Sequence, residues 1–254
     1  MIRVGVLGAA GRMGSTVCAA VEADPELELV AAVDAHGAGN VVAGLTVATD
    51  LATLRAAAAE VVVDFTVADA ARENLRSIAG WGMHAVIGTT GLTENDLGML
   101  RGAFISSNAI VAANFAIGAV LMMRFAEMAA PFFESAEVLE FHHDQKIDAP
   151  SGTALVTAQR MAAASAQWAS DPTLHEVLPG ARGGTGPAGI HVHSVRLRGL
   201  VAHQEVLLGT TGQWLTIRHD TTDRSSFMPG VLLACKRIAQ YPGLTLGLDA
   251  YLGL

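Results

Sequence analysis

Short β-branched runs alternate with alanine-rich segments of helical length over residues 1–115, and this alternation constrains the fold more than any other feature. The runs are Ile2–Leu7, Leu27–Val33, Val61–Phe65, His84–Ile87 and Ala109–Ala112. Strands that alternate with helices of about 10–15 residues are typical of βαβ units and a parallel sheet. The unbroken apolar run Val61-Val62-Val63 indicates a strand covered on both faces. We therefore predict an α/β domain.

A glycine-rich turn joins the first run to the first helical segment. The stretch Gly8-Ala9-Ala10-Gly11-Arg12-Met13-Gly14 has GxxGxxG spacing, a variant of the commoner GxGxxG. Glycine lets the backbone approach a pyrophosphate, which the N–H groups of a helix N-terminus hold. Asp34 closes the second run, where a carboxylate can accept hydrogen bonds from an adenosine ribose. The motif favours nicotinamide dinucleotide binding over a tight turn beside an acidic strand end.

The charges around the ribose site decide between the two nicotinamide cofactors. Asp34 repels a 2′-phosphate, and Ala35 supplies no cation beside it. Arg12 offers one positive charge from the glycine turn. We predict NADH as the preferred cofactor, with NADPH tolerated.

Two later loops also follow predicted strands. They are Gly88-Thr89-Thr90-Gly91 and Ala112-Ala113-Asn114-Phe115. In open α/β sheets, ligands bind outside the carboxyl ends of the strands. Both loops are therefore candidates for nucleotide contacts, with ordinary loop chemistry as the alternative.

The pattern changes at Ile117. An apolar helix (Ile117–Phe133) leads into a strand (Ala136–His142), and a second helix begins after Pro150. Three strand-like runs then follow a stretch rich in glycine and proline: Ile190–Leu197, Gln204–Leu208 and Trp214–His219. We predict an α+β second domain with an open, mixed or antiparallel sheet and helices on one face. The last helical segment, Phe227–Ala239, could pack on either domain.

The segment from Glu140 to Ala154, EFHHDQKIDAPSGTA, is the most unusual in the chain. Ser151 is predicted to cap a helix that begins after Pro150. The first turn of that helix can hold a carboxylate through its N–H groups and dipole. A purely structural segment is the alternative. The candidate functional residues are His142, His143, Lys146, Gly152 and Thr153.

We also weighed a metal site. On a strand that runs through His142 and His143, the two side chains point to opposite faces and cannot chelate one ion. His191 and His193 share a strand face, but nothing in the sequence places a third ligand beside them. We therefore predict no metal.

Composition narrows the possible partners. A net charge of −8 argues against nucleic acid, because the chain lacks the basic surface that phosphate backbones require. The longest apolar run, Ala109–Met123, contains Asn114 and Gly118 and is too short for a membrane span. Cys18 and Cys235 have no metal or redox spacing, and no secretion signal is evident. These features predict a cytoplasmic protein with reduced thiols.

The glycine turn, the Gly88-Thr89-Thr90 loop and the Glu140–Ala154 segment closely resemble the 4-hydroxy-tetrahydrodipicolinate reductase (dihydrodipicolinate reductase) family, from residue 2 to about residue 248. Residues 202–206 and 218–227 look like its actinobacterial members. The resemblance implies a Rossmann-type domain (1–115 and 223–254) and an α+β substrate-binding and tetramerisation domain with an open mixed sheet (116–222). It also implies a homotetramer. The implied reaction is NAD(P)H-dependent reduction of 4-hydroxy-tetrahydrodipicolinate, via dihydrodipicolinate, to tetrahydrodipicolinate in diaminopimelate and lysine biosynthesis.

The resemblance further implies roles for single residues. His142 matches the family's catalytic histidine, and Lys146 matches its proposed proton donor. His143, Gly152 and Thr153 match the residues that hold the dicarboxylate substrate. Nucleotide contacts are implied at Gly8, Ala9, Ala10, Gly11, Arg12, Met13, Asp34, Gly88, Thr89, Thr90, Ala112, Ala113, Asn114 and Phe115. The alternatives are another two-domain nicotinamide dehydrogenase and a non-catalytic NAD-binding sensor.

Overall fold

The computed structural model describes the whole chain, Met1–Leu254, as two units. One unit contains Met1–Ala116 and Phe227–Leu254, and the other contains Ile117–Ser226. The strands are β1 (Ile2–Leu7), β2 (Leu27–Val33), β3 (Val41–Val42), β4 (Leu45–Thr46), β5 (Val61–Asp64), β6 (His84–Ile87), β7 (Ala109–Val111), β8 (Ser135–His142), β9 (Gly184–Thr185), β10 (His191–Arg196), β11 (Ala202–Thr210), β12 (Gln213–Thr221) and β13 (Leu244–Leu246). The helices are α1 (Arg12–Ala23), α2 (Ala52–Ala56), α3 (Ala68–Gly80), α4 (Glu94–Ala103), α5 (Ile117–Ala129), α6 (Gly152–Ala164), α7 (Met228–Arg237) and α8 (Asp249–Leu252).

The first unit is built on a parallel sheet in the order β13-β7-β6-β5-β1-β2. Every residue of β5 is buried, as its unbroken apolar run predicts. The chain goes from β1 to β2 on one side and then to β5 on the other, so the strand order reverses between β1 and β5. Open α/β sheets bind ligands at the carboxyl ends of such a reversal. The predicted α/β domain is confirmed.

The second unit is built on a mixed sheet in the order β12-β11-β8-β10-β9. β8 and β10 run parallel, and the other neighbours run antiparallel. Helices α5 and α6 cover one face, where Ala126, Val138, Ala154, Met161 and Val206 form part of a buried cluster. This arrangement confirms the mixed form of the predicted sheet.

Element limits differ from the predictions where the local signal is weak. The predicted helix Ile117–Phe133 ends at Ala129 and gives way to a 3-10 turn, because Pro131 has no N–H to continue the helix. β11 and β12 form a longer hairpin than Gln204–Leu208 and Trp214–His219 suggested, since polar residues at both ends continue the ladder. Strands β3, β4, β9 and β13 are too short to show periodicity and were not predicted.

The boundaries between the two units differ slightly from the predicted domain limits. The chain passes between units after Ala116 and after Ser226, whereas the functional domains were placed at 1–115 with 223–254 and at 116–222. A 3-10 turn over Arg224–Phe227 leads directly into α7. The last helical segment lies in the first unit. No helix has the length and apolarity needed to cross a bilayer.

Candidate active site

The glycine turn lies at the carboxyl end of β1. Gly8 has a φ of +74°, and a Cβ there would lie 2.7 Å from the Phe65 carbonyl oxygen. A Cβ on Gly14 would lie 2.0 Å from the Gly8 carbonyl oxygen, so both positions require glycine. Gly11 caps α1 without a side-chain hydrogen bond, and the first helical turn contains no acidic residue. The positive end of the α1 dipole is therefore available to an anion such as a pyrophosphate.

Asp34 follows β2 and supports the same turn. Its Oδ2 accepts a hydrogen bond from the Ala10 N–H at 3.1 Å, and its Oδ1 accepts one from the His36 N–H at 2.9 Å. Each carboxylate oxygen can accept a second hydrogen bond, so the side chain can still bind ribose hydroxyls. Asp34 therefore both fixes the turn and lies at the wall of a cleft.

Two adjacent clefts, together called the trough, lie along this edge of the first unit. One, of about 390 Å³, lies beside Asp34, and the other, of about 360 Å³, lies beside the loops after β6 and β7. They share Phe65 and Thr66 as wall residues, at the point where the strand order reverses. The predicted nucleotide residues that line the trough are Gly8, Gly11, Met13, Asp34, Gly88, Thr90, Ala112, Ala113, Asn114 and Phe115.

Four predicted nucleotide residues do not line the trough. Ala9 is fully buried, and Ala10 contributes its N–H to Asp34. Arg12 is exposed at the start of α1. Thr89 is buried and points its hydroxyl toward Asp64. Their proposed roles are therefore indirect, through the shape of the turn and loops.

A buried polar network behind the trough was missed by sequence reasoning. Asp64, the last residue of β5, accepts hydrogen bonds at Oδ1 from the Thr66 and Thr89 hydroxyls, each at 2.7 Å. The Thr66 N–H lies 2.9 Å from both this oxygen and the Thr89 hydroxyl oxygen. Burial raises the pKa of Asp64, although the hydrogen bonds from Thr66 and Thr89 oppose the rise. An acidic residue at the end of a buried apolar strand was the available signal.

In the second unit, His142 is the last residue of β8, and His143 follows outside the strand. The Nδ1 atom of His142 lies 2.5 Å from Oε2 of Glu140, whose side chain is fully buried. Burial acts to raise the pKa of Glu140, but hydrogen bonds from His142, Arg196 and Ser194 outweigh burial and lower it to about 2. Glu140 is therefore an ionised hydrogen-bond acceptor at neutral pH.

Lys146 lies in the loop that follows β8. Its Nζ is 2.7 Å from each carboxylate oxygen of Asp148, and its side chain is 19% exposed. The hydrogen bond from Lys146 holds the pKa of Asp148 below its usual range. Asp148 is exposed, so a ligand carboxylate can compete with it for Lys146.

The start of α6 agrees with its predicted cap. The Ser151 hydroxyl oxygen accepts a hydrogen bond from the Ala154 N–H at 3.2 Å, and Gly152 and Thr153 form the first turn. A Cβ on Gly152 would meet no atom within 4 Å. Packing within the protein therefore does not require glycine there, and the open space beside Gly152 can receive a ligand.

The second histidine pair contacts carboxylates within its own unit. His191 Nε2 lies 2.9 Å from Asp171 Oδ2, and His193 Nε2 lies 2.6 Å from Glu137 Oε2. Arg182 binds the same Glu137 carboxylate through two nitrogens. No group of three or more histidine, cysteine, aspartate or glutamate side chains is placed to hold a metal ion.

A dinucleotide-type trough in one unit, and a segment with two histidines and a lysine before a helix start in the other, are typical of a two-domain nicotinamide-dependent oxidoreductase. Family models for the N-terminus and the C-terminus of dihydrodipicolinate reductase match residues 2–115 and 118–252. The chain belongs to the dihydrodipicolinate reductase family, which confirms the predicted family and fold.

Similar proteins cover the full chain. The 4-hydroxy-tetrahydrodipicolinate reductase of Nocardia farcinica is 53% identical over 260 residues, covering 100% of this chain and 99% of that protein. The corresponding Corynebacterium urealyticum protein is 51% identical, with 100% of both chains covered. The structure of dipicolinate-bound dihydrodipicolinate reductase from Paenisporosarcina sp. TG-14 has a TM-score of 0.86 and 39% identity, covering 98% of this chain and 99% of that chain. GenD2 in complex with NAD, 14% identical with a TM-score of 0.63, shares the fold alone.

Proposed function

We propose that this chain catalyses the NAD(P)H-dependent reduction of 4-hydroxy-tetrahydrodipicolinate, via dihydrodipicolinate, to tetrahydrodipicolinate in diaminopimelate and lysine biosynthesis. One observation carries the proposal. The segment that distinguishes the family in sequence folds so that one buried carboxylate, Glu140, bonds both the proposed catalytic His142 and the Ser151 N–H at the proposed carboxylate site. The full-length match to proteins of that name supports the same reaction.

The trough in the first unit fits a nicotinamide dinucleotide. The close packing of Gly8 and Gly14 against neighbouring backbone forms the tight turn that leads into α1, and the N–H groups in the first turn of α1 would hold the pyrophosphate. Asp34 would hold the adenosine ribose, and the loops after β6 and β7 would hold the nicotinamide half. When bound, the cofactor supplies the hydride.

We propose NADH as the preferred cofactor, with NADPH tolerated. Asp34 and Ala35 line the ribose end of the trough, and Arg12 does not. A 2′-phosphate would therefore meet a carboxylate before it met a guanidinium. Specificity constants for NADH and NADPH test this preference, and a higher constant for NADPH would show that Arg12 outweighs Asp34.

The chemistry of the second unit suits a dicarboxylate. With its Nδ1 atom bonded to Glu140, His142 would use its second ring nitrogen to exchange a proton with the substrate. Lys146 would exchange Asp148 for a substrate carboxylate and stabilise negative charge on the ring. His143, Gly152 and Thr153 would orient the substrate, which lowers the entropic part of the barrier.

We also propose that the chain forms a homotetramer through the uncovered face of its second sheet. Alternation along the strands places Phe141, Val195, Leu207 and Trp214 on this face, and Trp214 is 79% exposed. Light scattering of the purified protein measures the assembly, and a monomeric mass would contradict it. The buried thiols of Cys18 and Cys235 agree with a cytoplasmic location.

The decisive assay couples the preceding synthase to this protein and follows the oxidation of NADH. We expect oxidation that depends on both the synthase product and this chain. NADH binding without oxidation, with either cofactor, would contradict the proposed reaction and favour a non-catalytic sensor.

A further inference from the structure

Glu140 lies at the centre of a buried polar cluster that the proposed contacts leave unexplained. Its side chain has no exposure to solvent, although it carries a charge. Arg196 donates to both carboxylate oxygens, at 2.8 Å each. The Ser151 N–H donates to Oε1 at 3.1 Å, and His142 Nδ1 lies 2.5 Å from Oε2. A single carboxylate thus joins the ends of β8 and β10 to the start of α6.

The ionisation of Glu140 determines which ring nitrogen of His142 carries a proton. An ionised carboxylate can only accept hydrogen bonds, so Nδ1 must be the donor. This holds for the neutral imidazole and for the imidazolium alike. Nε2 is then the nitrogen that remains for proton transfer to a ligand, as in other sites where a carboxylate orients a histidine.

The surrounding charges keep Glu140 in this role. Arg196 supplies the nearest positive charge, and it also donates to the Asp148 carbonyl oxygen at 2.7 Å. Lys146 is held by the exposed Asp148 carboxylate and has no bond to Glu140. His142 is therefore the only titratable side chain besides Arg196 that bonds directly to the Glu140 carboxylate.

We propose that Glu140 is a positioning residue that holds His142 in the Nδ1–H form and ties it to Ser151 at the start of α6. The proton donor and the carboxylate-binding helix then share one support and keep a fixed spacing. This inference rests on the proposed function for its effect on turnover, whereas the Nδ1–H form itself does not depend on any reaction.

Glu140→Gln tests the proposal with a side chain of nearly the same shape. Because Ser151 and Arg196 both donate to Oε1, the Gln oxygen is expected at that position and its NH2 group toward His142. The NH2 group then donates where the carboxylate accepted, so the proton of neutral His142 moves to Nε2. We expect kcat to fall by roughly 10²–10⁴, with the KM for NADH nearly unchanged, because the wrong ring nitrogen then meets the substrate.

Nitrogen NMR of histidine-labelled protein measures which ring nitrogen of His142 carries the proton. A purely structural role of Glu140 would leave this tautomer unchanged. The His142 signals are assigned by their absence in His142→Asn. We expect the Nδ1–H form in the wild type and the Nε2–H form in Glu140→Gln. Arg196→Lys is the matched control, since it disturbs the same cluster but keeps the Glu140 carboxylate, and it should retain the Nδ1–H form.

The outcomes separate this inference from the proposed function. A wild-type protein with neutral His142 in the Nε2–H form would overturn the inference, even if Glu140→Gln fails to fold. A folded Glu140→Gln with wild-type kcat would overturn it as well. A wild-type protein that shows the Nδ1–H form but no turnover supports the positioning of His142 and contradicts only the proposed reaction.

Discussion

Single side chains in this protein take their roles from the groups they bond to. The Nδ1 atom of His142 is bonded to the buried Glu140 carboxylate, and the Nζ atom of Lys146 is bonded to the exposed Asp148 carboxylate. The first contact is protected from solvent and fixes a ring, whereas the second is open and can be exchanged for a ligand. We therefore propose different tasks for the two residues, proton transfer for His142 and carboxylate binding for Lys146.

Replacing either residue by alanine tests these roles. We expect His142→Ala and Lys146→Ala each to lower kcat by roughly 10²–10⁴ and to leave the Kd for NADH nearly unchanged, because neither residue lies in the unit that holds the trough. Steady-state kinetics and NADH titration measure the two effects. The control is His175→Ala, at an exposed position. Wild-type kcat in both variants would rule out the assignment.

Thr89 supports the trough through Asp64 rather than by lining it. Thr89→Val removes a donor to the buried carboxylate and an acceptor for the Thr66 N–H. We expect the free energy of unfolding to fall by about 1–3 kcal/mol, because buried polar groups lose their hydrogen-bond partners. Denaturant unfolding measures the loss. Thr90→Val, at an exposed neighbouring position, should change stability little, and equal losses in both variants would contradict this role.

Glycine has different surroundings in the first turns of α1 and α6. Gly14 allows α1 to pack against the Gly8 carbonyl, whereas Gly152 at the start of α6 faces open space. The first glycine serves the fold, and the second leaves room for a ligand. Their substitution by alanine should therefore have different consequences.

We expect Gly14→Ala to lower the free energy of unfolding by about 1–3 kcal/mol and to weaken NADH binding, since its Cβ would collide with backbone. Gly152→Ala should keep its stability but raise the KM for the dicarboxylate on the order of tenfold, because the methyl group occupies the proposed carboxylate site. Thermal unfolding and kinetics distinguish the two. A destabilised Gly152→Ala with unchanged KM would contradict the ligand role.

Elements with a clear local pattern were predictable, and contacts between distant segments were not. The observed limits of β1, β2 and β6 equal the predicted runs Ile2–Leu7, Leu27–Val33 and His84–Ile87, because apolar, β-branched composition marks a covered strand. The Ser151 cap was predictable from its position after Pro150. The Arg196–Glu140 pair spans 56 residues of sequence, so no local spacing reveals it. Phe65 and Phe227 line one cleft although they are far apart in sequence, so their proximity was not predictable either.

Across the whole molecule, the net charge of −8 contrasts with proposed ligands that are anions. Local devices must therefore supply the attraction, namely the starts of α1 and α6 and the Lys146 ammonium. Many of the acidic groups form ion pairs within the protein, such as Glu137 with Arg182 and Asp220 with Arg218. Because these pairs need ionised carboxylates, the stability of the protein depends on pH.

We expect stability to fall in acid. Hydrogen bonds from His142 and Arg196 outweigh burial and hold the pKa of Glu140 at about 2, against an ordinary value of 4.5. A lowered pKa contributes stability above the ordinary value that is lost as the pH falls toward the folded-state value, on the order of 3 kcal/mol for this group. Asp64, whose pKa burial raises, acts in the opposite direction, favouring the folded state below its ordinary pKa.

Thermal unfolding between about pH 7 and about pH 3 measures this effect. The wild-type Tm should decline below about pH 4.5, and Glu140→Gln should show a shallower decline because it has no proton to gain at this position. Parallel curves for the two proteins would show that Glu140 does not contribute to acid sensitivity.

The first unit is assembled from the two ends of the chain. β13 completes its sheet beside β7, and Phe227 contributes to its trough, yet both follow residues 117–226 in the sequence. On the ribosome, residues 1–116 emerge before the middle segment but lack their edge strand until residues 244–246 have been synthesised. The contiguous middle segment has all its own strands earlier. The second unit is therefore completed before the first, although the first unit begins to emerge earlier. A chain that terminates before β13 lacks the edge strand of the parallel sheet.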